Sequence, residues 1–263
     1  MTSLVNIRTN ILKMITSSSS AHVGTCMSIV EILYTLYFKV MKHDPLSPLN
    51  RGRDKLILSK GHGSAALYAV LAEVGYFPTE YLKSYYVDGG ILPAHLDKDS
   101  VPGVEVSTGS LGHGLSIGVG MALANKGDGN NGKIFVILGD GECNEGSVWE
   151  AVMLAASLRL ENLIVVVDYN KFQGLARTND VIDQSNMAER WRVFGWDTYE
   201  VDGHNIDNLM EAFNEPQTGP KAIIAHTLKG KGISYMEDKL EWHYKTPTRD
   251  ELIRGIRELK NNR

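Results

Sequence analysis

The sequence predicts an α/β fold, an open, mostly parallel sheet with helices on both faces. Two observations predict it. Three short runs, 133–140 (KIFVILGD), 162–170 (NLIVVVDYN) and 221–227 (KAIIAHT), are rich in Ile and Val and largely apolar rather than alternating. That pattern is expected of parallel strands covered on both faces. Between the first two lies 146–160 (GSVWEAVMLAASLRL), whose Ala, Leu, Met and Glu content and length suit a crossover helix. Strand, helix and strand make a βαβ unit.

Further helices are expected at 29–42, where Ile29, Ile32, Leu33, Leu36 and Val40 follow helical spacing, and at 112–126. In the second of these, Gly114, Gly118 and Gly120 would allow close packing against a neighbour. The tail at 248–260 reads as a strongly charged helix. No internal repeat is evident, and the four serines Ser17–Ser20 are too few for a linker. With 263 residues and 43% hydrophobic content, the chain can bury one substantial core, so residues 1–263 are read as a single domain.

A formal charge of −4, from 27 basic and 31 acidic residues, gives no reason to expect nucleic acid or an anionic membrane as partner. A small-molecule site is the better expectation. Cys26 and Cys143 are the two cysteines, too few for a disulfide framework, which fits a reducing compartment and a cytoplasmic location. The longest apolar stretch is interrupted by Glu31 and Lys39, so no membrane span is expected, and no secretory signal is read at the N-terminus.

The central chemical signal is GDGECNEG, 139–146, at the end of one buried strand, with Asn170 ending the next. In an open parallel sheet, ligands gather outside the carboxyl ends of the strands, so both groups reach one crevice. A small hard cation such as Mg²⁺ takes about six oxygen ligands. Asp140, Asn170 and the Phe172 carbonyl suit that role together with phosphate oxygens. Gly139 and Gly141 permit close approach of a phosphate, and the amides opening the following helix favour an anion. Taken alone, Gly-Asp-Gly is equally a tight turn. The turn set between two buried strands, the second ending in Asp-Tyr-Asn, is a far more specific pattern.

At this point the sequence resembles thiamine-diphosphate enzymes, and transketolases in particular. The likeness runs from near Ser19 to near Pro247. SKGHGSAALYAVL around His62, LPAHLDKDSVPGVEVSTGSLGHGLSIGVGMALA, and HTLKGKGISYMEDKLEWHYKTP each resemble family segments in the family's order. The resemblance implies thiamine diphosphate as cofactor, with Mg²⁺ as its metal and Ca²⁺ or Mn²⁺ as substitutes. It places Lys60 and His62 near the diphosphate or substrate, and His95 in the substrate channel. Gly109, Ser110 and Leu111 lie against the cofactor, and Lys229 and His243 at the diphosphate and donor. His22 faces substrate. Gly139, Asp140, Gly141, Glu142 and Asn170 are implied in cofactor binding. Glu145 and Glu150 match acidic positions at the interface between chains that communicate with the aminopyrimidine. The chain departs from the family with AHVG where His-Pro is frequent, and with His113 where Gln is frequent.

Ketol transfer needs groups that polarise a carbonyl and move protons in a dry cleft, which suits histidines, while the cofactor supplies the electron sink. The other four histidines, His43, His113, His204 and His226, read as surface or satisfied core residues. Glu145 alone would read as a solvated turn carboxylate, and Lys229 as part of a solvated basic loop. A complete transketolase carries two further domains, so the resemblance implies a split enzyme. A C-terminal transketolase subunit supplies the rest in a heterotetramer, acting on a sugar phosphate. The other readings are an α subunit of 2-oxoacid dehydrogenase or deoxyxylulose-phosphate synthase type, and a non-catalytic cofactor-binding module.

Overall fold

Buried runs of Ile, Val and Leu form the middle of a five-stranded sheet in which every neighbouring pair is parallel. The structure is a computed structural model describing residues 2–261. Its strands are β1 (Lys55–Leu58), β2 (Ile134–Gly139), β3 (Leu163–Tyr169), β4 (Asp197–Asp202) and β5 (Lys221–His226), in the order β1-β2-β3-β5-β4. The α-helices are α1 (Thr2–Ser17), α2 (Val23–Ser28), α3 (Val30–Thr35), α4 (Ser64–Val74), α5 (Gly114–Gly127), α6 (Gly146–Ser157), α7 (Thr178–Val181), α8 (Met187–Val193), α9 (Ile206–Asn214) and α10 (Arg249–Asn261).

Alternation of side chains along each strand divides the core into two. Phe135, Ile137, Ile164, Val166, Ile223 and Ala225 face one layer, which holds α1 to α4, α9 and α10. Ile134, Val136, Leu138, Leu163, Val165, Val167, Ala222 and Ile224 face α5, α6 and α8. All residues of β2 and β3 are buried, which explains why these strands show no polar alternation. The expected fold class is therefore observed.

Three of the five strands and the crossover helix lie where the sequence predicts them. β1 escapes notice because it is only four residues long. β4 is an edge strand whose residues are half-buried or exposed, so Asp-Thr-Tyr-Glu-Val-Asp carries no apolar run. The helix expected at 29–42 starts earlier, at Val23, breaks at Ile29 (φ −100°, ψ 7°) and finishes as a π-helical turn, Leu36–Val40. Helices α1, α4, α7, α8 and α9 were not expected from the sequence. No helix among the described residues is long and apolar enough to cross a membrane.

The glycines of α5 divide by position. A Cβ on Gly118 would lie 2.6 Å from Cγ2 of Val136, and one on Gly114 would collide with Ser59, so at both points α5 presses its backbone onto the sheet. Gly120, expected to do the same, is exposed and has nothing within 4 Å of its Cβ position. Gly118→Ala is therefore expected to lower the unfolding free energy by about 1–3 kcal/mol through overpacking. Gly120→Ala is expected to raise it by about 0.5–1 kcal/mol. Chemical denaturation of the isolated chain checks both, and equal effects would show that α5 does not rest on Val136.

Candidate active site

Parallel strands end on a common rim. β1 leads into Ser59 and Lys60, β2 into Asp140, β3 into Asn170, and β5 into Thr227 and Lys229. At the centre of that rim is Asp168, fully buried near the end of β3. Its Oδ2 accepts from Ser28 Oγ (2.8 Å), Asn170 Nδ2 (2.8 Å) and Lys60 Nζ (2.5 Å), and its Oδ1 accepts from Thr227 Oγ1. Burial alone would push this carboxyl up. The Lys60 ammonium and the hydrogen bonds outweigh burial and leave it below the usual carboxylate range.

Asp140 has a different balance. Its Oδ2 accepts from the Lys171 amide and Thr178 Oγ1, both at 2.8 Å, and its Oδ1 from the Gly141 amide at 2.9 Å. Lys171 reaches it through a left-handed backbone (φ 69°). Burial, and then the neighbouring Asp168, push the Asp140 carboxyl up to about 6. Asn170 uses its amide nitrogen on Asp168, while its Oδ1 accepts from the Phe172 amide at 3.1 Å. Phe172 is buried, with Arg177 4.5 Å and Lys229 Nζ 5.7 Å from its ring centroid.

The glycine turn at Gly109–Leu111 lies beside two of the candidate histidines. Gly61, next to His62, touches Thr108 and Gly109 so closely that a Cβ would sit 2.7–2.8 Å from them, and a Cβ on Gly109 would lie 3.2 Å from the His95 ring. Ser110 is exposed and Leu111 half-buried. Glu142, expected at the cofactor, turns its carboxylate onto the chain itself. Its Oε1 accepts from the Gly112 amide (2.9 Å) and Ser59 Oγ, and its Oε2 from the Gly139 amide (3.1 Å). It thereby ties three loops together from behind. Glu145 and Glu150 are exposed and make no ion pair among the described residues.

The four motif histidines converge. Ring centroids are 5.0 Å apart for His22 and His243, 5.2 Å for His22 and His62, 5.8 Å for His62 and His243, and 6.4 Å for His22 and His95. His22 holds a left-handed backbone (φ 73°) immediately before α2, and its amide donates to the His243 carbonyl at 3.0 Å. Burial, then His95, Lys229 and Lys60, push the His22 imidazole down to about 4. Burial, then Lys229, takes His243 to about 3, and His62 lies well below its ordinary value for the same kind of reason. Lys229, itself lowered to about 8 by burial and then Lys60, places Nζ 2.8 Å from His243 Nδ1. An ammonium can only donate, so His243 carries its proton on Nε2.

Residues 2–260 match the family model described as transketolase, thiamine diphosphate binding domain. The chain belongs to the transketolase family. It is 42% identical over 247 residues to an apulose-4-phosphate transketolase subunit from Actinobacillus succinogenes, covering 93% of this chain and 90% of that one. It is 44% identical over 242 residues to the 6-deoxy-6-sulfo-D-fructose transketolase subunit SqwG of a Clostridium species, covering 91% and 88%. The crystal structure of transketolase from Campylobacter jejuni superimposes with a TM-score of 0.91 at 27% identity. That match takes in 99% of this chain and 43% of the other, so the chain spans about two fifths of that solved transketolase.

Three buried polar atoms around the transketolase cleft lack a partner among the described residues: His22 Nδ1, Thr108 Oγ1 and Gln173 Nε2. Buried polar atoms are normally paired, so these three fit a polar ligand. No cluster of three or more His, Cys, Asp or Glu side chains among the described residues is arranged to hold a metal unaided. The acid and amide pair Asp140 and Asn170 instead fits a cation that takes further oxygens from a bound diphosphate. Asp168 was not expected at the site, although a lone carboxylate inside an apolar strand was a visible signal. Thr108, Gln173 and Thr227 offered none.

The depressed histidines set a pH window. Their folded values lie below the ordinary 6.5, so the unfolded chain binds more protons and stability rises with pH across the interval. The apo chain's thermal midpoint is expected to fall as pH drops from about 6.5 towards 4, more shallowly in His62→Asn. Scanning calorimetry across that range checks this, and parallel profiles for the two proteins would show that His62 titrates normally.

Proposed function

We propose that this chain is the cofactor-holding N-terminal subunit of a split transketolase, transferring a two-carbon ketol unit from a ketose donor to an aldose acceptor with thiamine diphosphate and Mg²⁺. The observation that carries the reading is the meeting of His22, His62, His95 and His243 with Lys229, beside Asp140 and Asn170, at one end of the sheet. Asp140, Asn170 and the Phe172 carbonyl would hold the metal, and Lys60, Lys229 and the glycine turns would take the diphosphate.

Thiamine diphosphate, when bound, supplies the nucleophilic carbon and electron sink for ketol transfer. The chain's own side chains bind and orient. His22, His62 and His243 are neutral near pH 7, so they meet sugar hydroxyl groups as neutral donors or acceptors. The proton on His243 Nε2, fixed by Lys229 on the other nitrogen, gives that ring one defined donor. His95 is exposed and sits where an entering sugar would pass.

A partner subunit is supported by the relatives this chain covers almost completely, which are named as subunits. It is also supported by the surface, since Ile117 and Leu123 on α5 and Met153 and Leu154 on α6 are 37–51% exposed. We place the assembly in the cytoplasm as a pair of heterodimers. The same relatives are named for apulose-4-phosphate and a sulfofructose, which favours a ketose donor with an anionic distal group.

The test is to mix the chain with a transketolase C-terminal polypeptide, Mg²⁺ and thiamine diphosphate and assay several ketose donors, anionic ones included. Absence of transfer from every donor would overturn the proposal. Asp140→Ala should abolish metal-dependent cofactor retention while the chain stays soluble. His95→Ala should spare cofactor binding and slow turnover by about 10²- to 10⁴-fold, and loss of cofactor binding in that variant would remove His95 from the substrate channel.

A further inference from the structure

A second polar cluster lies behind the cleft. Arg8 on α1 and Glu31 on α3 are 5% and 7% exposed, and an Arg8 terminal nitrogen approaches both Glu31 oxygens, at 2.7 and 2.8 Å. His204, at the end of the turn that follows β4, places Nδ1 3.0 Å from Glu31 Oε2. Its Nε2 lies 2.8 Å from the Leu228 backbone nitrogen. A backbone amide can only donate, so Nε2 must accept. The proton therefore sits on Nδ1 and is donated to Glu31. The ring is neutral, with its tautomer fixed from both sides.

The same cluster grips the far end of the turn that begins at Leu228, because Arg8 Nε donates to the Lys231 carbonyl at 3.1 Å. Leu228 and Lys231 flank Lys229 and Gly230, the latter in a left-handed conformation (φ 81°). The Gly230 amide donates to the Gly24 carbonyl at 2.9 Å, so the turn also leans on the start of α2, next to His22. Lys229 is 1% exposed, and its ammonium reaches His243 only if the turn keeps this path.

We propose that His204, held by Glu31 and Arg8, is a positioning residue that fixes the 228–231 turn so that the Lys229 ammonium stands against His243 in the cleft. His204 touches neither the cleft histidines nor Asp140. It acts through the backbone of Leu228. The assignment of Lys229 to the diphosphate rests on the function proposed above, whereas the contact between Lys229 and His243 does not.

Two variants separate this role from a general loss of stability. His204→Gln keeps a carbonyl oxygen able to accept from Leu228, and His204→Phe keeps the ring volume but accepts nothing. Ile11→Ala, in the α1 core away from the cleft, is the control for destabilisation. Proton NMR of the His243 ring, followed with pH on the full chain, reads the Lys229 contact directly. Wild type and Ile11→Ala should show His243 titrating far below 6.5. His204→Phe should move that titration up towards the ordinary histidine value, and His204→Gln should restore most of the depression. An unchanged His243 titration in His204→Phe, or the same rise in Ile11→Ala, would overturn the proposal.

Calorimetric titration with thiamine diphosphate and Mg²⁺, on the chain mixed with a transketolase C-terminal polypeptide, adds a second reading. Loss of one positioning hydrogen bond should weaken binding by up to about tenfold in His204→Phe, with His204→Gln close to wild type. Equal affinity in wild type and His204→Phe would also overturn it. If wild type mixed with a transketolase C-terminal polypeptide binds no thiamine diphosphate, the proposed function fails, and the His243 titration alone decides the role of His204.

Discussion

Asp168 carries a full negative charge into the end of an otherwise apolar strand, out of contact with solvent, and that charge must be compensated where it stands. The groups that compensate it are the ones that shape the cleft. Ser28 comes from the end of α2, Lys60 from the end of β1, Asn170 from the end of β3 and Thr227 from the end of β5. Breaking a buried ion pair by removing one partner typically costs about 3–5 kcal/mol, against a total stability of about 5–15 kcal/mol for a domain. Formation of the rim is thus bound up with formation of the sheet.

This pairing dictates the charge layout of the rest of the site. Lys60 is paired with Asp168 and offsets the Asp140 charge only in part, so burial, and then that same Asp168, drive the Asp140 carboxyl up. Asp140 is satisfied by three hydrogen-bond donors, none of them charged. A buried carboxylate hydrogen-bonded only by neutral groups is costly as an anion and well suited to a cation. On the other side, burial first, and then the cations Lys229 and Lys60, keep the neighbouring imidazoles neutral. The cleft therefore offers one end that favours positive charge and another that favours anions, with uncharged rings between.

How much of this could be read in the sequence depended on whether the signal was local. β2, β3 and β5 announced themselves because burial on both faces removes polar residues from consecutive positions. β4 did not, because one strand partner and an open edge leave its residues partly solvated. The four cleft histidines were legible through the segments around them, and His62 and His95 sit beside glycines that permit close backbone approach. His204 was read as an ordinary histidine because what distinguishes it, Glu31, is 173 residues away. Glu142 was placed at the cofactor by its neighbourhood in GDGECNEG, whereas the fold turns its carboxylate onto the amides of Gly112 and Gly139. Chain proximity gives no direction for a side chain.

The loops of the cleft share one means of support. Asp168 holds the strand ends, Glu142 holds the loops at Gly112, Gly139 and Ser59, and Glu31, through His204 and Arg8, holds the turn that bears Lys229. Each carboxylate is buried behind the loop it fixes and accepts from backbone amides or buried side chains, so the donors on the cleft side are placed before any ligand arrives. Preorganisation of this kind lowers the ordering cost of binding and lets dipoles act without reorganising. It extends over one wall only. His95 and Glu145 face outward with no equivalent support, as does Tyr244, whose ring lies 4.7 Å from that of His243 while 61% exposed. A rigid wall facing side chains of this kind is the geometry expected of half a site, completed when a second surface closes over it.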